Sequence, residues 1–241
     1  MTETRIDAKD RLIVALDVPS AAEAEALVDR MGDQVRFVKV GLELYTVAGP
    51  DIVQKLVDRG KRVFLDLKFL DIEETVRRAT ARVAAMGATF LTVHANRKAL
   101  IAAVQGRGQS DLKLLAVTVL TNFDGQDLRD MGIQRSVQDL VTARATLAAD
   151  VGCDGVVASG EEPEAIRAKV GPNLLIVTPG VRPSGQGTDD HARVTTPTQT
   201  IASGADYLVV GRPIRDAPDP PVATSVILAE MQAAFDKRRC V

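Results

Sequence analysis

Charged residues stand at the ends of short apolar segments of this chain, where an isolated charge would be costly to bury. Asp66 and Lys68 lie two residues apart in FLDLK, and a β-strand places such residues on the same face. Asp17 ends the segment LIVALD, and Lys39 lies within FVKVG. An Asp and a Lys a few ångströms apart attract each other by on the order of 4 kcal/mol at an effective dielectric of about 20. Because four such charges exceed what a structural salt bridge needs, we predict that Asp and Lys side chains perform the chemistry.

A third acidic residue, Asp71, extends this segment to Asp-x-Lys-x-x-Asp. It directly precedes a predicted helix that begins with the residues IEET. Taken alone, this position favours a helix N-cap, in which the carboxylate accepts hydrogen bonds from backbone N–H groups of the first turn. Spacing by itself therefore gives Asp71 a structural role.

Glycine and arginine occur together in two later segments, TPGVR and VGRP, each at the end of a predicted strand. Gly180 and Gly211 allow backbone N–H groups to approach an oxyanion closely, and these segments also contain Arg182 and Arg212. Arginine supplies fork-shaped, charge-assisted donors. The two segments follow the seventh and eighth predicted strands, after which α/β barrels recurrently bind phosphate. We therefore predict a phosphorylated small molecule as the ligand.

Three further polar residues, His94, Thr118 and Thr121, are candidates at the ends of predicted strands. The histidines of the chain, His94 and His191, form no HExxH pattern, and the sequence has neither a GxSxG segment nor a P-loop. We therefore expect no metal site of a recognisable pattern, although carboxylate sites for Mg²⁺ leave little trace in a sequence.

Eight short apolar segments alternate with segments of helical period along the whole chain, and these elements must position the charges. The predicted strands are 12–17, 35–40, 63–67, 90–94, 114–119, 155–158, 174–178 and 207–210. The predicted helices are 21–31, 48–59, 72–86, 98–104, 136–150, 163–169, 197–203 and 222–237.

Strict alternation of strands and helices predicts parallel strands that are buried on both faces. Eight such units in 241 residues match the size of a (β/α)₈ TIM barrel, and no linker divides the chain, so we predict a single domain over 1–241. An open, doubly wound sheet is the alternative. In a barrel, the active site lies at the C-terminal ends of the strands, where the charged residues above are found.

Composition argues against several classes of partner. The net charge of −2 favours neither nucleic acid nor a membrane surface. The N-terminus is too polar for a signal peptide, and the apolar segments are far shorter than the roughly 20 residues that span a bilayer. Cys153 and Cys240 are the only cysteines, so we expect no disulfide framework and a reducing, cytoplasmic location. Because aromatic residues make up only 3% of the chain, we expect an aliphatic core.

The segment FLDLKFLDIEETV resembles the orotidine 5′-monophosphate decarboxylase family, whose hallmark is Asp-x-Lys-x-x-Asp followed by Ile-x-x-Thr. Five more segments occur in the family's order and at comparable spacing, so the resemblance covers nearly the whole chain: LIVALDVP, VKVGLE, AVTVLT, TPGVRP and DYLVVGRPI. The resemblance implies a (β/α)₈ barrel that converts orotidine 5′-monophosphate to uridine 5′-monophosphate in pyrimidine synthesis without a cofactor.

The resemblance also implies roles for individual residues. Asp66 would lie beside the substrate carboxylate, and Lys68 would stabilise the carbanion at C6 of the pyrimidine and protonate it. Asp17 and Lys39 would hold the ribose hydroxyls, and Thr121 would bind the base. Lys39 would also belong to the catalytic charge network.

The family's shared active site implies a homodimer. Asp71 and Thr75 would reach the site from the other subunit, which replaces the N-cap interpretation of Asp71. Arg182, Gly211 and Arg212 would bind the phosphate, and binding energy from that remote group can support the chemistry at the ring.

The chain departs from the family pattern near the hallmark segment. Leu70 replaces a histidine, and Glu73 and Glu74 replace a Pro-Asn pair, from which we expect an altered interface but intact chemistry. After the fourth strand, Arg97 and Lys98 stand where small residues and glycines are usual. They either begin a solvated helix or place new positive charge near the site.

A further departure falls in a segment over 183–190 and just beyond it, where the family carries a loop that closes over the phosphate. His191 occupies the position of a glutamine that bridges phosphate and base, and an imidazole offers a different set of donors and acceptors. Gln186 is the alternative for this contact.

Two other functions compete with this interpretation. Sugar-phosphate relatives, the ketogulonate-phosphate decarboxylases and hexulose-phosphate synthases, share the three-residue core of the hallmark and use Mg²⁺. They carry an acidic residue on the second strand, where this chain has Lys39. The third possibility is a barrel that binds phosphorylated metabolites without turnover, which the departures above would explain.

Overall fold

Eight parallel β-strands close into a barrel in their order along the chain. The computed structural model describes residues 6–183 and 195–238. Hydrogen bonds between the first and last strands complete the closure, with Ile13 aligned to Val209. The (β/α)₈ barrel is confirmed, because every strand is paired on both sides, whereas an open sheet has two edge strands. The strands are β1 (Leu12–Ala15), β2 (Phe37–Gly41), β3 (Arg62–Phe69), β4 (Phe90–His94), β5 (Lys113–Val117), β6 (Gly155–Val157), β7 (Leu175–Pro179) and β8 (Tyr207–Val210).

Helices cover the outside of the barrel and return the chain from the end of one strand to the start of the next. They are α1 (Ala21–Met31), α2 (Leu42–Ala48), α3 (Asp51–Asp58), α4 (Glu73–Ala85), α5 (Arg97–Arg107), α6 (Gly125–Asp130), α7 (Val137–Asp150), α8 (Pro163–Val170), α9 (Pro197–Ala202), α10 (Arg212–Arg215) and α11 (Pro220–Arg238). Two 3₁₀ helices span Ala8–Asp10 and Gly32–Gln34.

The prediction of one helix over 48–59 is wrong at its start. Two helices, α2 and α3, lie on either side of Gly49 and Pro50. Gly49 has a φ of 64°, and its N–H donates to the carbonyl of Tyr45 at 2.8 Å, which ends α2. Pro50 has no N–H to extend that helix. Short helices α6 and α10 were also not predicted, whereas the other predicted elements differ from the structure only at their ends.

The barrel interior has an aromatic floor. Phe37, Phe90 and Tyr207 are the first residues of their strands, and their rings meet edge to face, with centroids 4.9 Å apart for Phe37 and Phe90. Phe64 packs on Phe90 from β3. The expected aliphatic core is therefore correct between strands and helices, whereas inside the barrel the four aromatic rings pack together with aliphatic residues such as Ile13 and Leu115. This floor closes one end of the barrel and leaves the other end open.

Candidate active site

A cavity of about 580 Å³ opens at the C-terminal ends of the strands. Its floor consists of inward-facing apolar residues such as Phe64, and its walls carry the charged residues that end the strands. In the described part of the chain, the polar and glycine residues that line it are Asp17, Lys39, Asp66, Lys68, Thr121, Asn122, Gly180, Arg182, Gly211, Arg212 and Arg215.

The four predicted charges form one connected cluster. The Nζ atom of Lys39 lies 2.7 Å from Oδ1 of Asp17 and 3.8 Å from Oδ2 of Asp66. The Nζ atom of Lys68 donates to both carboxylate oxygens of Asp66, at 2.9 Å each. Lys39 is only 8% exposed, so its charge is largely removed from water and depends on the two carboxylates. Carboxylates and ammonium groups thus alternate along one wall of the cavity.

Gly41 makes room for part of this cluster, and sequence reasoning missed it. A Cβ atom at this position would lie 2.8 Å from Oδ1 of Asp17 and 2.9 Å from Nζ of Lys39. Contacts that short are below ordinary van der Waals separation. The sequence did contain a signal for this role. Gly41 follows Lys39 by two residues on one strand, so both residues face the same side.

The backbone at Lys68 departs from regular strand geometry. Leu65 aligns with Leu91 and Phe69 aligns with Val93, so three residues of β3 lie opposite one residue of β4. Within this irregularity Lys68 has a φ of 51°, which is uncommon for a non-glycine residue. Asp66 and Lys68 share a face as predicted, but the irregular backbone, and not strand periodicity alone, sets their mutual orientation.

Arginine and glycine residues from the ends of β7 and β8 line the same cavity. Arg182 is 7% exposed, and Arg212 begins α10 directly after Gly211. Gly180 has a φ of 75°, a conformation that favours glycine. Two arginine side chains and two glycines therefore lie where a phosphate was predicted.

Arg215 lines the cavity as a third arginine that sequence reasoning missed. Its Nη1 atom donates to the main-chain carbonyl of Asp17 at 2.6 Å, and its Nε and Nη2 atoms donate to the carboxylate of Asp216. The hydrogen bonds from Arg215 to Asp216 raise the pKa of the arginine further above its ordinary value. The sequence signal for Arg215 was its spacing from Arg212. Residues three apart on a helix are neighbours on one face.

Two of the strand-end candidates do not line the cavity. The hydroxyl of Thr118 donates to the carbonyl of Val157 at 2.9 Å, a contact within the sheet. His94 is half-buried behind the charge cluster, where burial and then the positive charge of Lys68 lower its pKa. Neither Thr118 nor His94 reaches the open volume.

The hallmark residues after β3 lie outside the cavity of this chain. Asp71 and Thr75 are exposed. The N-cap of α4 is Ile72, whereas Asp71 accepts only the N–H of Ile72, at 2.6 Å, so the N-cap interpretation of Asp71 is wrong. Leu70 and Ile72, beside Asp71, are also exposed, at 58% and 70%. An acidic residue is thus presented to solvent between two apolar side chains.

Arg97 and Lys98 begin α5, whose N-cap is Asn96. The Nζ atom of Lys98 lies 3.2 Å from Oε1 of Glu73, and both side chains are exposed. This segment is therefore the solvated helix start, and neither residue lines the cavity. His191, Gln186 and nearly all of the predicted loop over 183–190 lie outside the described residues.

Residues 6–183 and 195–238 contain neither a cluster of metal-ligating side chains nor a helix that could cross a membrane. No three side chains of His, Cys, Asp or Glu converge there as a metal site would require. In the same ranges, no helix combines the length and hydropathy needed to cross a bilayer. Cys153 is a buried free thiol whose pKa burial raises to about 12, which makes it a poor nucleophile.

Known proteins combine this fold and these segments. A family model described as Orotidine 5'-phosphate decarboxylase / HUMPS family matches residues 10–227. An Orotidine 5'-phosphate decarboxylase of Rhodopseudomonas palustris is 50% identical over 234 residues, which covers 97% of this chain and 99% of that protein. A protein of the same name from Bradyrhizobium diazoefficiens is 49% identical over 235 residues and covers 98% and 99%.

Solved structures agree with the sequence relatives. The crystal structure of Orotidine 5'-phosphate decarboxylase from Lactobacillus acidophilus superposes with a TM-score of 0.82 at 36% identity and covers 92% of this chain and 98% of that one. The match of the family model spans every strand of the barrel, the charge cluster and both arginine segments. This chain belongs to the orotidine 5′-phosphate decarboxylase / HUMPS family.

Proposed function

We propose that this protein is a single-domain enzyme that decarboxylates orotidine 5′-monophosphate to uridine 5′-monophosphate in de novo pyrimidine synthesis, without a cofactor. The observation that carries the proposal is the alternating Asp17, Lys39, Asp66 and Lys68 cluster in a cavity that also holds arginines. The Asp and Lys cluster and the arginines of the cavity match a ligand with a carboxylate at one end and a phosphate at the other. The names of the curated relatives support this substrate.

The chemistry follows from the charges of Asp66 and Lys68. With substrate bound, the Asp66 carboxylate lies beside the carboxylate of the pyrimidine, and this repulsion is relieved as the C–C bond breaks and CO₂ leaves. The electron pair of that bond remains at C6 as a carbanion, which the ammonium of Lys68 stabilises and then protonates. Only the transition state benefits from both effects, so they lower the barrier and do not merely tighten binding.

The remaining cavity residues bind parts of the substrate that do not react. Asp17 and Lys39 hold the ribose hydroxyls, and Thr121 hydrogen-bonds the base. Arg182 and Arg212 bind the phosphate as fork-shaped donors, and backbone N–H groups near Gly211 assist them. Because these contacts are distant from C6, their binding energy can hold the substrate carboxylate against Asp66.

A homodimer completes the site in this proposal. Exposed apolar side chains follow three consecutive strands of the barrel, which supports an interface on this side: Leu42 and Val47 after β2, Leu70 and Ile72 after β3, and Ile101 after β4. Asp71 and Thr75 lie within this region and are exposed, so a partner would carry them into the neighbouring site. Asp71 would then join Lys39, Asp66 and Lys68.

The proposed location is the cytoplasm, where small phosphorylated metabolites are made and where a free thiol such as Cys153 stays reduced. The partners proposed are the nucleotide and a second copy of the chain, with no nucleic acid. The net charge of −2 supports the last point.

The test is the loss of ultraviolet absorbance of orotidine 5′-monophosphate with EDTA-treated protein. We expect turnover by the wild type, abolition in Lys68→Ala and retention in Lys113→Ala, an exposed lysine at the opposite end of the barrel. Turnover of sugar phosphates alone, and only with Mg²⁺, would replace this proposal with the aldolase or sugar-phosphate decarboxylase function. Binding of uridine 5′-monophosphate without any turnover would instead indicate a non-catalytic barrel.

A further inference from the structure

We propose that Thr92 is a positioning residue for the reaction, because its single hydroxyl fixes both the Asp66 carboxylate and the backbone of Lys68. The inference rests on the proposed function, in which Asp66 and Lys68 act on the substrate. Thr92 itself does not line the cavity, so it acts only through these two residues.

The hydroxyl of Thr92 makes two hydrogen bonds of good length. It donates to Oδ1 of Asp66 at 2.9 Å and accepts the backbone N–H of Lys68, also at 2.9 Å. A hydroxyl offers one donor and two acceptor positions, so one oxygen atom can do both. Thr92 is 0% exposed, and its β-branched side chain has few rotamers, which holds the hydroxyl in place.

The irregular pairing of β3 explains why a side chain is needed here. Residues 66–68 leave the regular ladder between the Leu65 and Phe69 pairings with β4. The N–H of Lys68 therefore donates to a side chain of β4 where a regular ladder would supply a main-chain carbonyl. In residues 6–183 and 195–238, Lys68 is the one non-glycine residue with positive φ, so an outside contact must hold this conformation.

The same contact sets the direction of the reacting groups. Lys68 donates from Nζ to both oxygens of Asp66, one of which already accepts from Thr92. Removing the hydroxyl frees the carboxylate to rotate and the backbone of Lys68 to relax towards a common conformation. Both the carboxylate and the ammonium would then shift relative to C6, whereas the arginines proposed to bind the phosphate would stay in place.

The central experiment compares Thr92→Val, which keeps the shape and removes the hydroxyl, with Thr92→Ser, which keeps the hydroxyl. We expect Thr92→Val to lower kcat by about 10- to 100-fold, the range typical of lost orientation around reacting groups. We expect KM and the Kd of uridine 5′-monophosphate, measured by calorimetry, to stay within about threefold of wild type. Thr92→Ser should recover most of kcat.

The matched control is Thr224→Val, at a threonine that is also 0% exposed but lies on α11 and does not line the cavity. It should leave kcat and KM unchanged. If Thr92→Val does not fold, Thr92→Ala removes the same hydroxyl with less bulk and takes its place.

Several results would overturn the inference. The first is a kcat of Thr92→Val equal to that of the wild type. The second is a loss of affinity for uridine 5′-monophosphate in Thr92→Val as large as its loss of kcat. The third is a kcat of Thr92→Ser no higher than that of Thr92→Val. If the wild type fails to turn over orotidine 5′-monophosphate, the proposed function is wrong. A crystal structure of Thr92→Val then tests separately whether Thr92 positions Asp66 and Lys68. Displaced Asp66 and Lys68 would then support the positioning role, and unchanged side chains would contradict it.

Discussion

Gly41→Ala provides a sharp test of the charge cluster, because one methyl group would enter the space beside Asp17 and Lys39. The backbone of Gly41 has a φ of −96° and a ψ of −174°, which alanine adopts without strain. The atoms it would meet are the ends of side chains and not backbone. The fold should therefore tolerate the substitution while the cluster rearranges.

The magnitude follows from the distances. The new Cβ would lie 2.8 Å from Oδ1 of Asp17 and 2.9 Å from Nζ of Lys39. Relief of these contacts moves the two groups by about 0.5 Å or more and separates the pair that now lies 2.7 Å apart. The displaced groups would each hold the ribose less well; a hydrogen bond to a charged group contributes about 1.5–3 kcal/mol, and each 1.4 kcal/mol is about tenfold. We expect kcat/KM to fall by about 10- to 100-fold, mainly through KM, if this pair holds the ribose.

The assay measures kcat, KM and the melting temperature of Gly41→Ala beside Gly49→Ala. Gly49 has a φ of 64° with no atom near a new Cβ, so alanine there costs stability, about 1–3 kcal/mol, without reaching the cavity. The two variants should differ in activity: Gly41→Ala loses activity and also some stability, because the separated pair includes the buried Lys39, whereas Gly49→Ala loses stability alone. An unchanged kcat/KM in Gly41→Ala would refute the role given to the Asp17–Lys39 pair.

Two further outcomes are expected. Mixed dimers of Lys68→Ala and Asp71→Ala subunits should recover part of the activity that each variant lacks. One of the two shared sites in such a dimer has both wild-type residues. Verified mixed dimers without activity would contradict the shared site. Burial lowers the pKa of His94 in the folded chain. The unfolded chain therefore protonates this imidazole at a higher pH than the folded chain does. The free energy of unfolding should consequently fall as the pH drops below about 6.5. Melting temperatures between about pH 7.5 and 5.5 should decline less in His94→Gln than in the wild type, and equal slopes would exclude His94 as a source of this dependence.

Most of the barrel could be predicted from local pattern. Each strand is a short apolar segment bounded by polar residues, and most major helices have an apolar face, so these elements are encoded within a few residues of themselves. The break of the helix at Gly49 and Pro50 is also a local feature, because glycine commonly ends a helix and proline has no N–H to extend one. The aromatic floor was not predictable in this way, because Phe37, Phe90 and Tyr207 meet only when the barrel closes.

The candidate site likewise contains residues that could be predicted from the sequence and one that could not. Asp17, Lys39, Asp66 and Lys68 were predictable because charges at the ends of buried strands must converge in a parallel barrel. Asp71 was misjudged from spacing, since helix α4 takes Ile72 as its N-cap.

By itself, the sequence determined the residue types, their places at the strand ends and hence the barrel with its charged and arginine-lined rim. Only the tertiary structure decided how these groups are held. The hydroxyl of Thr92 reaches Lys68 from 24 residues away, and Arg215 reaches the carbonyl of Asp17 from 198 residues away. Local periodicity reports which side of an element a residue faces, whereas such contacts depend on the register between strands and on closure of the barrel, which no short segment encodes.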